Sequence, residues 1–159
     1  MKVSWIFILI AALSATGAQA FGYCVIRSGA TLRSAPSASG PPSWKVSKFM
    51  PLQATGEKKG TWIEVSDVDG QKHWVSSHDV STRLTCLVVS SKRARLRSGP
   101  GSKFETAPAG IADRYTPFVD LGGEDGWTMV EDEMGQRSWI NLDQTWKAHR
   151  RFRVSFDSQ

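Results

Sequence analysis

Ala94-Arg95-Leu96-Arg97-Ser98-Gly99-Pro100 repeats Ala30-Thr31-Leu32-Arg33-Ser34-Ala35-Pro36, and this pair of stretches decides how the chain is read. Two further pairs follow in the same order. Trp62-Ile63-Glu64-Val65 returns as Trp127-Thr128-Met129-Val130, and Gly70-Gln71-Lys72-His73-Trp74-Val75 returns as Gly135-Gln136-Arg137-Ser138-Trp139-Ile140. The offsets are 64, 65 and 65 residues. Three ordered blocks at a nearly constant spacing mark an internal duplication. One unit is expected over residues 21–85 and a second over residues 86–159. No Gly-, Pro- or Ser-rich linker separates them, because Arg83-Leu84-Thr85-Cys86-Leu87-Val88-Val89 runs directly from one into the other. The two units are expected to be closely coupled.

Inside each unit the signals are those of strands. Thr61-Trp62-Ile63-Glu64-Val65 alternates, which sets Trp62 and Glu64 on one face and Ile63 on the other. Asp67-Val68-Asp69-Gly70 is a tight turn, and Lys72-His73-Trp74-Val75 is the returning strand of a hairpin. The second unit turns at Glu131-Asp132-Glu133-Met134-Gly135. No stretch after residue 20 sustains a helical period. The fold class is therefore all-β. Six or so short strands in about sixty residues have too small a core to leave their edges open, so each unit is expected to close into a small barrel.

The N-terminus reads as an export signal. Lys2 precedes the apolar run Trp5 to Leu13, and Ala18-Gln19-Ala20 supplies small residues two apart, so cleavage is expected after Ala20. The run is short for a hydrocarbon core that takes about 20 residues to cross. Cys24 follows Tyr23, which does not suit lipidation. Removing residues 1–20 leaves 139 residues, in which no transmembrane segment is expected, and takes the formal charge from +5 to +4 because Lys2 is the one charged residue removed. That length suits one ordinary domain or two minimal ones. The mild basicity fits anionic lipid, cell-wall polymer or nucleic acid equally, though export argues against nucleic acid. In an oxidising compartment an isolated pair such as Cys24 and Cys86 favours a disulfide over two free thiols. His73, His78 and His149 are scattered and near no cysteine at ligand spacing, so neither a metal nor a cofactor is expected.

The three blocks resemble the bacterial SH3 domain family. Leu96-Arg97-Ser98-Gly99-Pro100-Gly101 carries the family's opening pattern in full, and Trp127, Val130, Gly135 and Trp139 follow in its order. The first unit departs to Leu32-Arg33-Ser34-Ala35-Pro36-Ser37 but keeps Gly60, Trp62, Val65, Gly70, Trp74 and Val75. The resemblance implies two tandem SH3-like barrels, with Leu32 and Leu96 ending the first strands. Trp62, Trp74, Trp127 and Trp139 are expected to fill the cores. It also implies that the first and last strands of each unit are neighbours. Cys24 would then begin the first strand of unit one and Cys86 end its last, close enough to bridge. Closing that loop of 62 residues would stabilise by roughly 4 kcal/mol in the chain-entropy model.

Catalysis is not expected. Both cysteines are committed to the disulfide, and Ser76-Ser77-His78-Asp79 stands where the family has a short turn. An enzyme would require His73 or His78 to face a nucleophile in a cleft. The family resemblance implies a binding or adaptor role in the cell envelope, periplasmic or extracellular, toward peptidoglycan and its peptides or toward an envelope protein. The candidate groove lies beside the long first loop, with Trp44 in unit one and Phe104 in unit two either facing ligand or pinning the loop. A candidate basic patch joins Lys92, Arg93 and Arg95 to Arg150, Arg151 and Arg153, where Phe152, Val154 and Phe156 alternate as a last strand should. A solvated basic face is the plainer reading of it.

Overall fold

The structure is a computed structural model that describes residues 22–149. The export signal, Arg150, Arg151, Arg153 and the alternating Phe152-Phe156 stretch lie outside the described residues. The first sheet contains β1 (Gly22–Val25), β2 (Ala30–Arg33), β3 (Pro42–Val46), β4 (Pro51–Lys59), β5 (Trp62–Ser66), β6 (Lys72–Ser76) and β7 (Val80–Ser81). The second contains β8 (Cys86–Val89), β9 (Arg93–Arg97), β10 (Thr106–Asp113), β11 (Pro117–Glu124), β12 (Trp127–Glu131), β13 (Arg137–Asn141) and β14 (Thr145–Trp146). The spatial orders are β3-β2-β6-β5-β4-β1-β7 and β10-β9-β13-β12-β11-β8-β14. These are one order written twice, so the duplication in sequence is a duplication in topology. All pairings are antiparallel. Each hydrogen-bonded ladder is open, ending at β3 and β7 in one sheet and at β10 and β14 in the other.

The hairpin turns form where the sequence places them. Asp67 Oδ1 accepts from the amides of Asp69 (2.9 Å) and Gln71 (2.8 Å), and Asp132 Oδ1 accepts from Met134 (2.9 Å) and Gln136 (2.8 Å). A short carboxylate closing its own turn is the reason aspartate opens it. Ser77–Asp79 and Leu142–Gln144 are single 3-10 turns that return the chain to β7 and β14.

The cores are built from branched aliphatics rather than tryptophan. Leu32, Leu52, Ile63, Val65 and Val75 fill the first; Leu87, Leu96, Phe118, Val130 and Ile140 fill the second. Trp62, Trp74, Trp127 and Trp139 are only half-buried, contrary to the expectation that they fill the barrels. On β5 the buried positions are Ile63 and Val65, so Trp62 shares the outer face with Glu64. Strands with two faces and a narrow interior leave the large rings outside. Trp74 lies opposite Glu64 and Arg33, under Lys59 Nζ at 5.9 Å from the ring centroid.

Leu32 and Leu96 sit on the second strand of each unit, not the first, because a turn at Arg27–Gly29 breaks the chain after β1. First and last strands are neighbours as expected: β1 pairs with β7, and β8 with β14. The strand that returns to β8 is Thr145–Trp146, ahead of the Phe152-Phe156 stretch, because the 3-10 turn at Leu142 delivers the chain there directly.

Cys24 and Cys86 form a disulfide with Cα atoms 5.7 Å apart. Cys24 is the third residue of β1, and Cys86 opens β8 rather than ending the last strand of unit one. The bridge therefore fastens the first strands of the two sheets to each other. Strand β8 is buried on both faces. Leu87 and Val89 enter the second core, Val88 enters the first, and Cys86 packs with Cys24 and Phe49 in a small cluster between them.

Candidate functional site

In unit one a groove of about 450 Å³ runs beside the long first loop, lined by Arg27, Arg33, Ala38, Trp62, Ser76 and Asp79. Its floor is the outer face of β5 and β6, where alternation brings Trp62 and Ser76 opposite each other. Arg33 Nη1 donates to the carbonyl of Gly40 (2.6 Å) and shapes the loop above. Arg27 stands 3.5 Å from Asp79 with its side chain mostly in solvent.

Trp44 is not in that groove. It lies in a second cleft of about 260 Å³, lined by Ser43, Trp44, Asp67, Asp69, His73 and, from unit two, Tyr115. The indole packs on the first core and meets the Tyr115 ring edge-on, centroids 5.7 Å apart. Asp69 Oδ2 accepts from the Tyr115 hydroxyl (2.8 Å) and Asp69 Oδ1 from Arg114 Nη2 (2.7 Å). Those donors, Tyr115 first, hold the Asp69 carboxyl below its usual range; Tyr115 and Asp69 in turn raise Arg114. Trp44 thus serves the junction between units.

The same cleft contains a hydrogen-bonded series. His73 Nε2 is 3.1 Å from Asp67 Oδ2, and His73 Nδ1 is 2.8 Å from Ser43 Oγ. With the proton assigned to Nε2, the ring donates to Asp67 and accepts from the Ser43 hydroxyl. His73 and Asp67 are buried and Ser43 is exposed. A histidine does therefore face a hydroxyl in a cleft, and sequence reasoning missed the partner, since Ser43 belongs to no repeated block. His78 faces no such group. It is exposed in the 3-10 turn, with its amide on Ser76 Oγ.

Phe104 pins its loop. Its ring covers Gly99, where a Cβ would fall 2.4 Å from Phe104 Cδ1, and its carbonyl accepts from Arg97 Nη1 (2.9 Å). Of the candidate basic patch, Lys92, Arg93 and Arg95 are exposed around β9, and Arg93 is paired with Asp113 (3.1 Å). Lys147 binds Asp120 (3.2 Å), and the His149 amide donates to Gln53 of unit one (2.7 Å), so this run leads back to the junction. Among the described residues no helix is long and apolar enough to cross a membrane, and no cluster of metal-ligating side chains occurs.

Residues 28–81, which supply all of the lining of the 450 Å³ groove except Arg27, match the family described as bacterial SH3 domain. No curated protein matches the chain. Among solved structures it is similar to NlpC1 from Trichomonas vaginalis, at 15% identity over 89% of this chain and 50% of that one, with a TM-score of 0.33. It is also similar to NlpC2 from Trichomonas vaginalis, at 14% identity over 81% and 48%, with a TM-score of 0.34. The chain thus spans about half the length of these two proteins.

Proposed function

We propose that the chain is an exported, non-enzymatic pair of SH3-type barrels that recognises cell-wall peptide. The observation that carries this reading is the groove of unit one, which apart from Arg27 is lined by the segment that matches a bacterial SH3 domain. The guanidinium groups of Arg33 and of Arg27, the latter beside the Asp79 carboxylate, and the Ser76 hydroxyl border the half-buried indole of Trp62 there. That set suits an extended peptide with carboxylates: arginine meets the carboxylate, and the ring packs on the peptide's apolar atoms. Purified sacculi should retain the protein at physiological salt, and Trp62→Ala should lower retention about tenfold. Absence of retention would leave the adaptor role, in which the partner is an envelope protein. Retention that vanishes at high salt would assign the contact to the basic residues instead.

The Ser43–His73–Asp67 series favours a second reading, a serine nucleophile. The binding reading is preferred because Asp132 closes the same turn in unit two beside Ser138, so the turn alone fixes the carboxylate. His73 then ties edge strand β3 to that turn. A fluorophosphonate probe should leave the protein unlabelled. Labelling of Ser43 that is lost in His73→Ala would establish the enzyme.

A further inference from the structure

Unit two has a recess of about 260 Å³ on the face where unit one meets Tyr115. Ala30 pairs with Val46 and Ala94 with Ala112, so Ala112 stands where Val46 does; beyond Ile111 the β10 ladder shifts register before Thr106, so nothing in β10 takes the place that Trp44 holds opposite Leu32. His73 and Ser138 correspond in the same way, opposite Val65 and Val130. At two positions around one spot, unit two therefore carries the smaller residue: Ala112 for Val46 and Ser138 for His73. The walls are Leu96, Ile111 and Phe118, and Asp132 and Ser138 stand at the polar end.

The rim changes in the same direction. Lys45 and Asp69 of unit one become Ile111 and Met134 in unit two, which are 52% and 84% exposed. Packing in natural interiors leaves few voids, and large apolar side chains held in water around a hollow mark an interaction site. The polar end also lacks something. Asp67 uses both oxygens, one for its turn and one for His73; Asp132 Oδ1 closes its turn, and among the described residues no side chain donates to Oδ2.

We propose that this recess binds an aromatic side chain of a partner polypeptide, one that carries an N–H or O–H donor. The ring takes the place that the His73 side chain holds in unit one, and its donor reaches Asp132 Oδ2 as His73 reaches Asp67 Oδ2. The chain itself gives the precedent for a polypeptide occupant of this face: on unit one it already receives Tyr115 from a turn of unit two, ring against Trp44 and hydroxyl on Asp69.

The test uses the whole protein, labelled with ¹⁵N and titrated with N-acetyltryptophan amide. Saturable shifts are expected at Ala109, Ile111, Ala112 and Ser138, and N-acetylphenylalanine amide, which lacks the ring donor, should bind several-fold more weakly. The double variant Ala112→Val, Ser138→His gives unit two two of the fillings of unit one. It should melt no lower than the parent, retain sacculus binding, and lose the tryptophan response at least tenfold. Shifts that survive in the filled variant, that centre on Trp44, or that never saturate would overturn the proposal. Free indole binding as tightly as the amide would overturn the polypeptide assignment in favour of a small aromatic molecule.

Discussion

At Gly99 one missing methyl group decides a loop. In unit two the Phe104 ring lies where a Cβ of residue 99 would be, and Arg97 holds the Phe104 carbonyl. In unit one Arg33 holds the carbonyl of Gly40 in the same manner, and a Cβ on Gly40 would stand 2.8 Å from the Ala35 carbonyl and 3.2 Å from its methyl. Each loop thus tolerates bulk at one of the two positions: Ala35 with Gly40, or Gly99 with Phe104. Gly99→Ala should lower the stability of unit two by about 1–3 kcal/mol, the usual cost of overpacking, as read from urea unfolding. Adding Phe104→Gly should return most of it, and a purely additive pair would refute the steric account. The Leu-Arg-Ser motif was legible in the sequence. Its departure at Ala35 was legible too, but not its cause, because the compensating residue lies five positions away in a stretch the repeat does not mark.

Strand β11 shows how an element adapts the shared plan. Asp120 stands on it where Ala54 stands on β4, and Thr128 stands on β12 where Ile63 stands on β5. The apolar pair of unit one has become a hydrogen-bonded pair: Asp120 Oδ1 accepts from Thr128 Oγ1 (2.5 Å) and from the Gly122 amide (3.0 Å), and Oδ2 from Lys147. Burial pushes the Asp120 carboxyl up, but Thr128, Gly122 and Lys147 outweigh it and hold it below the normal value. Asp120→Ala leaves the buried Thr128 hydroxyl without that acceptor and should cost about 1–3 kcal/mol. Asp120→Ala with Thr128→Ile restores the pair used by unit one and should recover much of the loss. A lowered folded-state pKa means that Asp120 contributes fully above its unfolded value of about 3.9, and the contribution fades as pH falls through the folded value. Acid melts of the parent should show this loss, and the double variant should lose correspondingly less stability over the same range. At this scale the sequence was most legible, since the hairpins and their turns follow from alternation and turn residues, while the pairing of first with last strands rested on the resemblance to bacterial SH3 domains. The tryptophans were misjudged because ring size suggested core, while the alternation of Trp62 with Glu64 already placed them outside. The cleft was illegible, since Ser43, Asp69 and Tyr115 come from separate segments and meet only after the two units dock.

Beside the shared packing of Val88, two devices tie the units together, and they respond to different conditions. The Cys24–Cys86 bridge joins β1 to β8 and encloses unit one, so its reduction should destabilise that unit by roughly 4 kcal/mol in the chain-entropy model. Thermal scans with and without reductant should show unit one, followed through its own amide signals, melting first once reduced. The second device is the clamp of Asp69 on Arg114 and Tyr115, reinforced by Trp44 and by the hydrogen bond from Ser28 to Glu133. Asp69 is lowered and Arg114 raised, so of this ion pair Asp69 is the member that titrates in acid. The clamp is therefore complete above about pH 4, the unfolded range of aspartate, and it opens as pH falls through the depressed Asp69 value. Tyr115 ring resonances should stay constant from neutral pH down to that point and then shift together with the Asp69 carboxyl. In Asp69→Asn the Tyr115 resonances should no longer titrate. Because the disulfide does not titrate in acid, the units should remain linked through β1 and β8 while the Trp44–Tyr115 contact loosens. A Tyr115 shift that follows global unfolding in the parent, rather than preceding it, would show that docking and folding are one step.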